Sequence, residues 1–265
     1  MNSVHESIMD IVEVRFKINS AENEEEQLDL IHSLLGAYRM NGQVLGQEFA
    51  IFQQNQEYIT HLKLPEVDSL EEKYNNKYIN RDIEKLTNVG LGQPTVTKLG
   101  EDTDATPLCK CSRVNGYILY TNYIFLESPL RCFDCFGTIP LYQIPKTSTE
   151  DYYDIINWES NYQSCDRLQM NCTVGERFAM NQMLKLDSEL TQQGLEICRK
   201  ISKTTDRNTY YYLHKVEEGN SISSEKKRLC PSCHKEWLLE NDIHRIFDFK
   251  CQKCLLLSNI SWNVL

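Results

Sequence analysis

The sequence predicts an α+β fold in three parts. These are an N-terminal ferredoxin-like β-α-β-β-α-β unit over residues 1–105, a central Cys-rich β segment with helices over 106–217, and a C-terminal zinc ribbon over 225–265. Three observations predict it. Residues 10–19 alternate apolar and polar side chains, the period of a strand with one wet face. Residues 22–40 switch to helical spacing. Two Cys-x-x-Cys pairs near the C-terminus stand 17 residues apart, a zinc-ribbon spacing.

In the first strand Val12, Val14, Phe16 and Ile18 share one face and Glu13, Arg15 and Lys17 the other. The helix that follows carries Leu28, Ile31, Leu35 and Tyr38 on its apolar stripe. Its first turn holds Glu22, Glu24, Glu25 and Glu26, where negative charge complements the helix dipole. Residues 44–52 and 57–64 read as strands joined by a hairpin turn at Gln53 to Gln56. Ser69 and Glu72 have capping-box spacing ahead of a second helix, whose stripe is Leu70, Tyr74, Ile79, Ile83 and Leu86 and whose stop is Gly90. A strand from Pro94 to Leu99 closes the unit.

Residues 101–107 read as a linker. A Cys- and Tyr-rich β segment follows to about residue 146, with a strong strand over Tyr117 to Phe125. Residues 149–217 read as mostly helical. Leu184, Leu190, Leu195, Ile197 and Ile201 are the apolar positions, and a break is expected near Gly194. Residues 218–228 are polar and read as a flexible connection.

The chain of 265 residues is 41% hydrophobic and 25% charged, a soluble composition. It has no run of about 18 apolar residues and no basic start followed by an apolar stretch, so a cytoplasmic location is expected. In a reducing compartment its 11 cysteines point to metal before disulfides. Cys165, Cys172 and Cys198 fall outside the spaced sets and read as small buried hydrophobes.

The C-terminal set is Cys230 and Cys233, then Cys251 and Cys254. Each pair is a tight turn aiming two thiolates at one point, and four sulfurs complete a tetrahedron around Zn2+. Such a sphere leaves no position for a reacting water, so the expected role is structural. Trp237, Ile246, Phe247 and Phe249 lie between the pairs and can cover the metal, with His234 and His244 nearby as candidate second-sphere groups. The central set, Cys109, Cys111, Cys132 and Cys135, has a less common Cys-x-Cys first pair. It predicts a second zinc site, against the rival reading of four buried thiols in a β core.

Residues 225–265 hold seven Lys/Arg against five Asp/Glu. Lys226, Lys227, Arg228, Lys235, Arg245, Lys250 and Lys253, with Trp237 and Phe249 as stacking faces, are candidate nucleic-acid contacts. The rival reading is a solvated face over packed aromatics. Walker, dinucleotide-binding, His-Glu-x-x-His and nucleophile-elbow motifs are absent, and the six histidines, His5 to His244, show no metal spacing among themselves.

Three stretches carry a family resemblance. One is Ser128-Pro-Leu-Arg-Cys-Phe-Asp-Cys-Phe-Gly-Thr-Ile-Pro-Leu-Tyr142. The second combines Gly175-Glu-Arg-Phe178, Gly194-Leu-Glu-Ile-Cys198 and Thr209-Tyr-Tyr-Tyr-Leu213. The third combines Phe247-Asp-Phe-Lys-Cys-Gln-Lys-Cys254 with Ser258-Asn-Ile-Ser-Trp262. Over nearly its whole length the chain resembles an uncharacterised bacterial zinc-ribbon family, a domain of unknown function to which nucleic-acid binding is ascribed. The resemblance implies zinc ligation by Cys230, Cys233, Cys251 and Cys254.

The net charge of −10 argues against non-specific affinity for nucleic acid and suits a basic partner. The expected function is therefore non-enzymatic protein binding. Its sharpest form is an immunity or inhibitor protein that neutralises a basic, nuclease-type toxin. The alternative is a regulatory nucleic-acid-binding zinc-ribbon protein.

Overall fold

The computed structural model describes residues 9–20, 23–216 and 221–261. Glu22, His5, Trp262, residue 217 and residues 218–220 of the expected connection lie outside them. The chain is mixed α+β and divides into two compact units. One comprises the described residues of Met1–Leu108, Leu126–Ser128 and Thr138–Tyr153; the other comprises those of Cys109–Phe125, Pro129–Gly137 and Asp154–Leu265. No helix among the described residues is long and apolar enough to cross a membrane.

The first unit keeps the β-α-β-β-α-β order. Its strands are β1 (Asp10–Lys17), β2 (Ile51–Gln54), β3 (Glu57–Leu64) and β4 (Thr95–Glu101), its helices α1 (Glu24–Met40) and α2 (Lys77–Lys85). The sheet order is β2-β3-β1-β4, with every neighbouring pair antiparallel. Alternation along β1 buries Val12, Val14 and Phe16 against Ile31, Leu34 and Leu35 of α1 and Leu62 of β3. Asn55 and Gln56 both have positive φ, which makes the two-residue β2–β3 turn match the twist of its strands.

Two elements differ from expectation. The strand expected over 44–52 moves to β2 and takes in Gln53 and Gln54, which were expected in the turn; Gly46 at φ 107° diverts the chain before it and leaves one bridge, Leu45 to Lys63. The helix expected from Ser69 begins at Lys77. Asn76 caps it, its side chain accepting from the N–H groups of Tyr78 and Ile79. Ser69 is used elsewhere: its hydroxyl accepts from the Glu66 N–H and lies 2.7 Å from the Tyr142 hydroxyl. Gly90 stops the segment in a left-handed cap, as expected.

The second unit is built on a six-stranded sheet. Its strands are β5 (Gly116–Leu119), β6 (Leu130–Cys132), β7 (Asn208–Tyr212), β8 (Leu238–Ile243), β9 (Phe247–Cys251) and β10 (Leu256–Ser258), in the order β6-β5-β7-β10-β9-β8. Helices α3 (Tyr153–Asn171), α4 (Glu176–Leu184), α5 (Glu189–Thr205) and α6 (Ile222–Glu225) complete it, apart from Tyr153 at the start of α3. The strands expected as a terminal ribbon thus share a sheet with the central segment, because β10 runs parallel to β7 and antiparallel to β9.

The strand expected to reach Phe125 ends at Leu119; beyond it the Asn122 side chain accepts from the Ile124 and Phe125 N–H groups and turns the backbone off the ladder. Residues 208–212, expected as helix, form the central strand β7, where Thr and three Tyr suit a pleated buried surface. Helix α5 runs unbroken through Gly194. The glycine admits the Tyr211 ring, whose Cε2 would lie 2.1 Å from an added Cβ.

Candidate metal centres

The three Cys-x-x-Cys or equivalent turns of the second unit share one local design. The residue after the last cysteine has positive φ in each: Phe136 at 63°, His234 at 56° and Leu255 at 52°. This left-handed step reverses the chain so that both thiols of a pair point to the same side. A backbone bond back to the first cysteine closes the turn, from Phe136 N–H to Cys132 O and from His234 N–H to Cys230 O, both 2.9 Å. Amides also point at sulfur: Asp134 N–H donates to Cys132 Sγ and Gly137 N–H to Cys135 Sγ, each at 3.4 Å.

The sheet then brings the turns together. The four Sγ atoms of Cys109, Cys111, Cys132 and Cys135 lie within 4.8 Å of one another, and so do those of Cys230, Cys233, Cys251 and Cys254. Individual separations are 3.9 Å for Cys111–Cys132 and 3.6 Å for Cys233–Cys251. All eight thiols are free of disulfides. Both sets could hold a metal ion.

The thiols sit in unequal environments. The Lys235 amide pulls the Cys233 thiol down to about 7, while burial pushes Cys251 up to about 12. Burial likewise raises Cys132. Packing four thiols so closely sets successive negative charges against one another, and a cation replaces their protons with a compensating charge.

Two of the aromatic residues between the C-terminal pairs pack on each other. Trp237 is buried beside Phe249, ring centroids 5.1 Å apart, and donates its Nε1–H to the Arg228 carbonyl at 2.9 Å. Phe247 packs instead with Tyr212 and Tyr120. Ile246 packs half-buried on that same aromatic core. His234 is exposed in its turn, and His244 Nε2 lies 2.8 Å from the Phe133 carbonyl, so neither joins a four-sulfur set. Of the three remaining cysteines, Cys165 and Cys198 are buried as expected, but Cys172 is exposed at the end of α3, where its φ of 51° ends the helix.

The seven basic candidates separate into two groups. Lys226, Lys227, Lys235, Arg245 and Lys253 are exposed. Arg228 and Lys250 are structural. The Arg228 guanidinium lies over the rings of Phe249 and Trp237 and donates to Ser258 Oγ and the Asn259 carbonyl. Lys250 Nζ lies 4.4 Å from the Phe133 ring centroid and 5.1 Å from that of Tyr210, and burial lowers its pKa. Sequence reading missed both roles, since the aromatic faces they cover come from distant segments.

Comparison with known proteins places the chain among families described as domains of unknown function. Residues 9–100 match DUF8589, residues 111–214 match DUF2310 and residues 219–264 match DUF8594. An uncharacterized protein of Haemophilus influenzae is 33% identical over 262 residues, 97% of this chain and 100% of its own. A second from the same organism is 38% identical over 167 residues, 63% of this chain and 82% of its own. These descriptions name neither zinc nor nucleic acid, so the resemblance drawn from the motifs holds at the level of an uncharacterised family. Two solved structures align with 37% of the chain. An antibiotic-biosynthesis-monooxygenase-type protein of Caulobacter crescentus does so with TM-score 0.30 and 14% identity over 92% of its length. A conserved protein of Methanosarcina mazei gives TM-score 0.29 and 11% identity over 96% of its length.

Proposed function

The chain belongs to the family of the uncharacterized Haemophilus influenzae protein that matches it over 97% of its length, and we propose that it is a non-enzymatic recognition protein whose second unit is pinned by two structural zinc ions. The observation that carries this reading is the pair of four-sulfur clusters. A tetrahedron with Zn–S bonds of about 2.3 Å has sulfur–sulfur edges of about 3.8 Å. The 3.9 Å and 3.6 Å separations fit that edge. Four thiolates fill the coordination sphere, so the metal supplies folding energy rather than an activated water.

With net charge −10, the complementary partner is a basic protein, and a nuclease-type toxin is the sharpest such candidate. The internal use of Arg228 and Lys250 removes two of the seven cations on which the nucleic-acid alternative draws.

Metal analysis of the purified full-length chain tests the reading. Two zinc ions per chain and no iron are expected; one ion or none, or iron in their place, overturns it. The same protein should leave RNA and duplex DNA unshifted at low salt. A shift abolished by charge reversal at Lys226 and Lys227 would replace protein recognition with the nucleic-acid alternative.

A further inference from the structure

The turn between β8 and β9 holds two side-chain-bearing residues in strained backbone. His244 and Arg245 have φ of 57° and 59°, and the Ile246 N–H closes the turn on the Ile243 carbonyl. Asn-Gly fills such a turn most easily, because other side chains resist the left-handed region. The Asp242 carboxylate accepts from the Arg245 N–H and helps to hold it. Such strain persists where the surroundings make use of it.

Here it places His244. The ring Nε2–H donates to the Phe133 carbonyl at 2.8 Å, and the ring stacks on Phe136, centroids 5.1 Å and planes 30° apart. Phe133 follows Cys132 and Phe136 follows Cys135. The hairpin whose second strand ends on Cys251 therefore grips the central cysteine turn at both of its ends.

A second link runs from turn to turn through one tyrosine. The Phe133 ring stacks on Tyr210 of β7, centroids 4.9 Å apart, and the Tyr210 hydroxyl donates to Oε1 of Gln252, the residue after Cys251. Lys250, the residue before Cys251, lies over both rings.

We propose that the two sulfur clusters load as a pair, with His244 and Tyr210 as positioning residues through which a metal ion in one cluster raises the affinity of the other. This rests on the reading of both clusters as zinc sites. A turn closed on its metal holds Phe133 or Gln252 still, and the opposite turn is thereby ordered before its own ion arrives. Groups beyond the ligands contribute about 10–100-fold to metal affinity. Linkage requires each site to help the other by the same factor.

Zinc titration of the metal-free full-length chain against a competing chelator tests it. Two variants measure each site alone: Cys230→Ser with Cys254→Ser leaves the central set, and Cys109→Ser with Cys135→Ser leaves the C-terminal set. The overall two-ion constant of the wild type should exceed the product of the two single-site constants at least about tenfold. His244→Asn with Tyr210→Phe, measured with the same cysteine replacements, should bring that ratio near one. Asparagine accepts the left-handed turn and phenylalanine keeps the stack on Phe133, so this double variant should retain its fold and its two ions. Should a cysteine variant fail to fold, the double variant with all eight thiols decides. Its overall constant should fall at least about tenfold, and an unchanged constant overturns the proposal. A ratio near one in the wild type, or an undiminished ratio in the double variant, overturns the pairing and leaves two zinc sites standing. Fewer than two ions at saturation overturns the reading of the clusters as well.

Discussion

The guanidinium of Arg228 sits 4.3 Å from the centroid of the ring of Phe249, two residues before Cys251. Its side chain is 18% exposed, and its NH2 group also reaches Ser258 Oγ and the Asn259 carbonyl. A residue read from sequence as one of three neighbouring surface cations is therefore a strut between the segment before the first cysteine turn and the end of β10. Replacing it should behave as a core change. We expect Arg228→Ala to lower unfolding stability by about 1–3 kcal/mol, through a lost stacked cation and charge-assisted bonds. Lys226→Ala and Lys227→Ala should stay within about 0.5 kcal/mol of wild type. Chemical denaturation of the three variants checks the contrast.

Metal removal should spread beyond residues 225–265. Strand β10 follows the last cysteine turn directly and pairs with both β7 and β9, so loosening that turn withdraws support from the middle of the six-stranded sheet. Chelation, or Cys251→Ser, should raise amide exchange in β5 and β7 as well as in β9 and β10. Strands β1 and β3, in the first unit, should keep their protection. Exchange followed by mass spectrometry resolves the two sets.

Two helical glycines make opposite predictions from the same substitution. A methyl at Gly194 would meet Tyr211 Cε2 at 2.1 Å and Trp158 Nε1 at 2.8 Å. The overlap outweighs alanine's better helix propensity, and Gly194→Ala should destabilise by about 1–3 kcal/mol. Gly36 in α1 has nothing within 4 Å of its added Cβ, so Gly36→Ala should stabilise by about 0.5–1 kcal/mol. Thermal melts of both variants decide the matter.

His214 gives the second unit an acid sensitivity. Burial depresses its pKa to about 4, from an ordinary value of 6.5. Between those values the unfolded chain binds a proton that the folded chain refuses. The contribution is thus fully present above about pH 6.5 and is lost as pH falls towards 4, to a total of about 3 kcal/mol. His214→Gln should flatten this part of the pH–stability curve relative to wild type. An unchanged slope in the variant would assign the acid loss to other groups.

Much of the first unit was legible because its signals are local. The alternation of β1, the acidic first turn of α1 and the stop at Gly90 each rest on neighbours a few residues away. The start of α2 was misread because Ser69 and Asn76 are both competent caps. The choice between them falls to Tyr142, which lies close to the Ser69 hydroxyl from 73 positions along the chain. Strand β7 carried a readable signal in Thr209 to Tyr212, overridden by the helical pattern before it.

Sequence alone determined which sulfurs belong together. Two thiols two or three positions apart can share a target only through a tight turn, and that spacing is written in the chain. Tertiary structure decided that both sets are joined to one six-stranded sheet and that Arg228 and Lys250 serve the fold. Pairing of β10 with β7 and the covering of one ring by a distant cation depend on contacts between segments tens of residues apart, and no short-range pattern encodes those contacts.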